Sequence, residues 1–112
     1  MSESLFTKII ERKIPAKIAY EDDTYIAIAD INPQAPVHLL VIPKKPIATL
    51  NDLKPEDAGL LGGMFLVAGK LMAERGQSDY RTVFNCGPQA GQTVFHIHLH
   101  VLAGRTMNWP PG

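Results

Sequence analysis

Between residues 94 and 102 the chain reads VFHIHLHVL, so that Phe95, Ile97, Leu99 and Val101 alternate with His96, His98 and His100. Alternation with period two predicts a strand, and it places alternate side chains on opposite faces. The three imidazoles are therefore expected on one face and the four apolar residues on the core side. Four further strands follow from the same reading: KIAY (17–20) and TYIAIAD (24–30) around the acidic turn EDD, VHLLVIP (37–43) stopped by Pro43, and YRTVFN (80–85). Helical spacing appears twice. Leu5, Phe6, Ile9 and Ile10 form one stripe behind a Ser4 cap, and Pro15 prevents that helix from running on. Pro55, followed by Glu56 and Asp57, opens a second helix expected to reach about Arg75, where Gly76 is a natural stop. Its predicted buried face is Leu60, Leu61, Met64, Phe65, Ala68, Leu71 and Met72.

The predicted order is α–β–β–β–α–β–β, without repeats or a linker. That order implies one α+β domain over residues 1–112, with a mostly antiparallel sheet of five strands and two helices. The last strand should end near Leu102, leaving 103–112 as a tail. Pro110 and Pro111 stiffen that tail, and Trp109 carries too much apolar surface to be left in water. Two segments stand out. NCGPQAGQT (85–93) is longer than a tight hairpin needs, and the second helix carries Gly59, Gly62, Gly63 and Gly69. Each such glycine costs up to about 1 kcal/mol against alanine, which is either tolerated or reflects close packing on another backbone.

Composition narrows the function. The chain has 112 residues, 46% hydrophobic and 20% charged, as in an ordinary soluble domain. Eleven basic residues balance eleven acidic ones, so no strong field favours nucleic acid or anionic lipid as a partner. Cys86 is the only cysteine, which excludes an intrachain disulfide and a thiolate zinc cluster. No stretch approaches the roughly 20 apolar residues of a membrane span, and the first fifteen residues lack the apolar core of a signal peptide. A cytoplasmic location is the expectation.

The histidine comb admits two chemistries. Histidines two apart on a strand are about 6.6 Å apart, and His96 and His100 about 13 Å apart, so a straight strand cannot bring all three to one ion. A two-histidine metal site completed by His38 or Asp30 stays open. Alternatively, with an unperturbed pKa of about 6.5, one imidazole can be neutral and nucleophilic while a neighbour is protonated. Such a row suits attack on phosphorus, with hydrogen bonds to phosphate oxygens. The preceding Gly91, Gln92 and Thr93 can add backbone N–H groups and a hydroxyl. A competing phosphate motif, GGMFLVAGKL (62–71), has Met64 and Leu71 where a P-loop needs glycine and a hydroxyl.

The run from His96 through Val101 and Leu102 resembles the histidine triad signature, His-Φ-His-Φ-His-Φ-Φ. DINPQAPVHLLVIPKK, AGQTVFHIHLHVLAGR and the terminal WPPG are similar to the histidine triad nucleotide-binding (Hint) branch, in order and over nearly the whole chain. The resemblance implies a homodimer whose sheets join into one larger sheet, with the glycine-bearing helix and a sheet edge as contact surfaces. It implies a purine nucleotide ligand, such as AMP or an adenosine phosphoramidate, and neither metal nor cofactor. His98 would be the nucleophile, forming a nucleotidyl-histidine that water hydrolyses. His100 would bond a phosphate oxygen, His96 and His38 would orient the row, and Thr93 would supply a hydroxyl. Asp30 matches a ribose-binding carboxylate and Asn85 a phosphate-side amide. Phe6, Ile9, Ile28, Ile31 and Leu40 are the expected apolar slot for the base, beside Gly91 and Gln92. The tail would reach the partner subunit's site. The implied activity is hydrolysis of nucleoside phosphoramidates. A binding module with incidental hydrolysis and a dinucleoside polyphosphate hydrolase are the alternatives.

Overall fold

The computed structural model describes residues 4–112. After helix α1 (Leu5–Ile10) come strands β1 (Ile18–Glu21), β2 (Tyr25–Ala29) and β3 (Val37–Pro43), helix α2 (Ala58–Glu74), and strands β4 (Tyr80–Val83) and β5 (Leu99–Ala103). The strands make one sheet in the order β1-β2-β3-β5-β4, and every neighbouring pair is antiparallel. The α+β architecture with five strands and two helices is thus the one the pattern predicts. Ser4 caps α1 by accepting a hydrogen bond from the Thr7 N–H. Pro55 opens a 3₁₀ turn, Pro55–Asp57, that leads into α2.

β3 lies at the centre, and alternate residues feed two cores. Leu39 and Val41 of β3, with Ala27, Leu99, Val101 and Ala103, pack under α2 against Met64, Val67, Ala68, Leu71 and Met72. Leu40 and Ile42 face the other way, joining Ile26 and Ile28 beneath Phe6 and Ile9 of α1. The second face also carries His38 and His100. Leu40 pairs with His100 and His38 with Leu102, so the two histidines are diagonal neighbours on adjacent strands.

Four expectations need correction. Residues 94–98 are not strand: pairing of β5 with β3 begins at Val41–Leu99, close to Pro43, which has no N–H for a ladder. The Ile97 N–H turns instead to the Ile47 carbonyl at 2.8 Å, and Phe95 is left 46% exposed rather than in the core. On α2, Phe65 is largely exposed while Val67 is buried, because the face against the sheet is turned away from Phe65. Gly63 does permit a close approach, but of a side chain: a Cβ there would sit 1.9 Å from the Tyr25 hydroxyl, which donates to the Leu60 carbonyl at 2.7 Å. The tail also begins later than predicted, since Ala103 is fully buried and paired with Val37 and Tyr80.

Candidate active site

A cavity of about 510 Å³ opens on the α1 face of the sheet. That volume suits a small organic ligand. Phe6, Ile9, Ile28 and Leu40 form its apolar wall, and Asp30, Asn85, Gly91, Thr93, His98 and His100 supply its polar edge. Ile31 also borders it but is 97% exposed, so it stands at the mouth instead of in the slot. Leu5, Ile14, Pro15, Ala16, Lys17 and Val94 line it too, although the sequence placed none of them at the site. Pro15 had signalled only the end of α1; the return of the chain from it to β1 builds this wall.

His38 and His96 do not line the cavity, and both are buried. His96 departs furthest from expectation. Because residues 94–98 leave the strand, its ring is tucked against the Pro43 carbonyl at 2.7 Å, on the α1 side with the Phe6 ring centroid 6.2 Å away, and does not reach the cavity. Its Nδ1 faces the hydroxyls of Ser4, expected only as a helix cap, and of Thr7, which no sequence pattern marked. Gln92 is likewise turned inward. Its side-chain amide donates to the Ala48 and Val94 carbonyls and accepts from the Gly87 N–H, while its own N–H bonds the Gly87 carbonyl. Gln92 therefore holds the 87–94 loop in shape rather than facing a ligand. Gly91, with φ +96°, sits in the left-handed region that favours glycine, and its N–H is committed to the Pro88 carbonyl.

Hydrogen bonds dictate the proton positions. A neutral imidazole has one N–H, so each bond on one nitrogen decides the role of the other. The Gln34 N–H donates to His38 Nδ1 at 3.0 Å, which leaves the His38 proton on Nε2. That N–H donates to His100 Nδ1 at 2.9 Å, and His100 must then carry its own proton on Nε2. His98 donates its Nδ1–H to the His96 carbonyl at 2.8 Å, leaving the Nε2 lone pair unprotonated. The edge of Phe6 supports the His98 ring, with centroids 4.9 Å apart.

Burial pushes all four histidines below the ordinary imidazole range. For His100, burial first and then the charges of His98 and His38 bring the pKa to about 4, against the opposing pull of Asp30. The row is accordingly neutral near pH 7, rather than a mixture of neutral and charged rings. Asp30 Oδ1 accepts from the Asn32 N–H at 2.9 Å, as a turn aspartate does, while Oδ2 lies 3.4 Å from His38 Nε2 and 3.9 Å from His100 Nδ1. Asp30, His38 and His100 thus bring three potential metal-ligand atoms within 4.8 Å of one another. The two facing nitrogens already share a proton, so an ion could use both only by displacing it and turning the rings.

An antiparallel sheet with a buried, hydrogen-bonded histidine row beside a ligand-sized cavity defines a histidine triad protein. Comparison agrees: residues 3–109 match the family described as "Scavenger mRNA decapping enzyme C-term binding". The chain belongs to this family, within the HIT-like superfamily. It is 54% identical to an uncharacterized HIT-like protein of Synechocystis sp., over 98% of this chain and 97% of the relative. Among solved structures, a HIT family hydrolase from Legionella pneumophila superposes with TM-score 0.96 at 51% identity, covering 98% of this chain and 100% of the other. A HIT family hydrolase from Clostridium thermocellum gives 0.92 at 44% identity, covering 96% of each. The chain is a hydrolase-like HIT protein.

Proposed function

We propose that the protein hydrolyses purine nucleoside 5′-phosphoramidates through a nucleotidyl-histidine. The observation that carries this reading is the commitment of His98 Nδ1–H to the His96 carbonyl, which leaves Nε2 as a neutral nucleophile at the cavity. Attack of Nε2 on the α-phosphorus forms an N–P bond and makes the ring cationic. The Nδ1–H then becomes a charge-assisted donor to a carbonyl already in place. The P–N bond to the amine breaks, and the departing nitrogen takes one proton. His100 Nε2–H and the Thr93 hydroxyl are the neighbouring donors for the phosphoryl oxygen and the leaving group. Water then attacks the same phosphorus, breaks the N–P bond, and returns neutral His98 with a nucleoside monophosphate.

Phe6, Ile9, Ile28 and Leu40 give the base an apolar slot, and Asp30 offers a carboxylate oxygen for sugar hydroxyls. The proposal includes a homodimer. In support, β4 is an open sheet edge, and Leu66 and Phe65 lie exposed on the outer side of α2. Steady-state kinetics on adenosine phosphoramidates, diadenosine polyphosphates and adenylated lysine test the reading. A preference for P–N bonds is expected. AMP binding with negligible turnover of all three would instead mark a binding module.

A further inference from the structure

Helix α1 does more than wall the cavity. Its cap residue Ser4 places Oγ 3.2 Å from His96 Nδ1, and Thr7 Oγ1 lies 3.1 Å from Ser4 Oγ and 3.4 Å from the same nitrogen. His96 Nε2–H donates to the Pro43 carbonyl, so Nδ1 can only accept. A hydroxyl has one proton to give, so one of the two hydroxyls donates to His96 Nδ1 and the other to its neighbour; Ser4, at 3.2 Å against 3.4 Å, is the nearer donor to Nδ1, and His96 Nε2–H goes to Pro43. Ser4 Oγ meanwhile accepts the Thr7 N–H as the helix cap. The His96 carbonyl, in turn, receives the Nδ1–H of His98.

We infer that Ser4 and Thr7 are positioning residues for the triad, holding the buried His96 ring in its Nε2–H form and thereby aiming the His96 carbonyl that orients His98. This inference rests on the hydrolytic role proposed for His98. Without the Ser4 hydroxyl, Nδ1 would keep only the longer 3.4 Å contact to Thr7, and without both it would be a buried acceptor lacking a donor; the ring could then exchange its proton between nitrogens and release Pro43. The 96–98 turn has no sheet ladder of its own to preserve its shape, so the loss would be felt at His98.

Three variants of the full chain separate positioning from capping. Ser4→Thr keeps both the cap and the donor; Ser4→Asp keeps the cap but has no proton to give; Ser4→Ala loses both. Three readouts apply: the ¹⁵N NMR signals of the His96 ring, kcat and KM on an adenosine phosphoramidate, and the Kd for AMP. Ser4→Thr should match the parent. Ser4→Asp and Ser4→Ala should both move the His96 signals away from the Nε2–H form and lower kcat about five- to tenfold, with AMP affinity within about twofold. Adding Thr7→Val should deepen the loss. A parent-like kcat in Ser4→Asp would overturn the inference, because capping alone would then explain Ser4. So would unchanged ring signals in all variants, or an AMP affinity that falls in step with kcat. If the parent turns over no phosphoramidate, the function reading fails separately, and the ring signals alone decide the positioning role.

Discussion

The Nε2 atom of His38 lies 2.9 Å from Nδ1 of His100, a diagonal contact between β3 and β5 that leaves the His100 proton on its outer nitrogen. Burial lowers the pKa of both, His100 to about 4, and of His96 and His98 as well. Between the ordinary imidazole pKa of about 6.5 and these lowered values, the unfolded chain binds more protons than the folded one. Stability is therefore fully present above pH 6.5 and falls as the pH drops toward 4. His100 alone should account for a loss on the order of 1–3 kcal/mol over that window. Thermal melts across the window should show the decline, with a shallower slope in His100→Gln. A flat profile in the parent would contradict the buried neutral row.

His98→Ala should abolish turnover while leaving AMP affinity within a few-fold of the parent. The nucleophile is lost, but the apolar slot and Asp30 remain. Rapid quench with labelled substrate should trap a nucleotidyl-protein in the parent and none in the variant. Substantial residual turnover would refute the assignment of the nucleophile.

The alternation of residues 94–102 revealed the histidine row and β5, yet not the place where the strand begins. Sequence periodicity is blind to a partner strand running out of ladder at Pro43, and that ending leaves His96 and His98 outside the strand, with the His96 ring off the cavity. Gln92 illustrates the same limit. Its neighbours Gly91 and Thr93 both line the cavity, but Gln92 is buried against Ala48, a carbonyl 44 residues away that no local pattern foretells. The apolar wall of the cavity was more legible, because Phe6, Ile9, Ile28 and Leu40 belong to elements whose spacing defines their faces. The wall from Ile14 to Lys17 has no periodicity, and only the three-dimensional return of the chain places it.

Gly63 is a further stability determinant. A methyl group there would lie 1.9 Å from the Tyr25 hydroxyl and 2.8 Å from its ring carbon, under a helix packed on the sheet. Gly63→Ala should destabilise the protein by about 1–3 kcal/mol in spite of the better helix propensity of alanine. Denaturant unfolding of Gly63→Ala, Tyr25→Phe and the double variant should show coupling, with the double variant less destabilised than the sum of the two. Strict additivity would mean that the phenol is not the obstacle.

Turnover should survive chelation. The Asp30, His38 and His100 cluster is joined by a proton between the two rings, and His98 needs no ion to be neutral at pH 7. Prolonged EDTA treatment, checked by elemental analysis, should leave kcat unchanged. Loss of activity restored by stoichiometric zinc would instead make the cluster a metal site.

Trp109 is 82% exposed, so its indole does not cover the core of its own chain. The tail is tied down by two hydrogen bonds to backbone carbonyls instead: Arg81 donates to the Asn108 carbonyl at 2.8 Å, and Arg105 Nε to the Gln34 carbonyl at 2.9 Å. Truncation after Met107 removes the first bond and retains the second. Loss of one exposed hydrogen bond should change stability by no more than about 1 kcal/mol. In the homodimer proposed above, that exposed tryptophan surface would dock at the partner subunit's site. Truncation is therefore expected to alter the preference among leaving amines several-fold, with AMP affinity and melting temperature nearly constant. Kinetics across a series of phosphoramidates, with thermal melts and sizing on the same samples, measure this directly. A truncated protein with unchanged selectivity would leave the tail without a role in leaving-group choice, whereas a large drop in melting temperature would return it to a structural one.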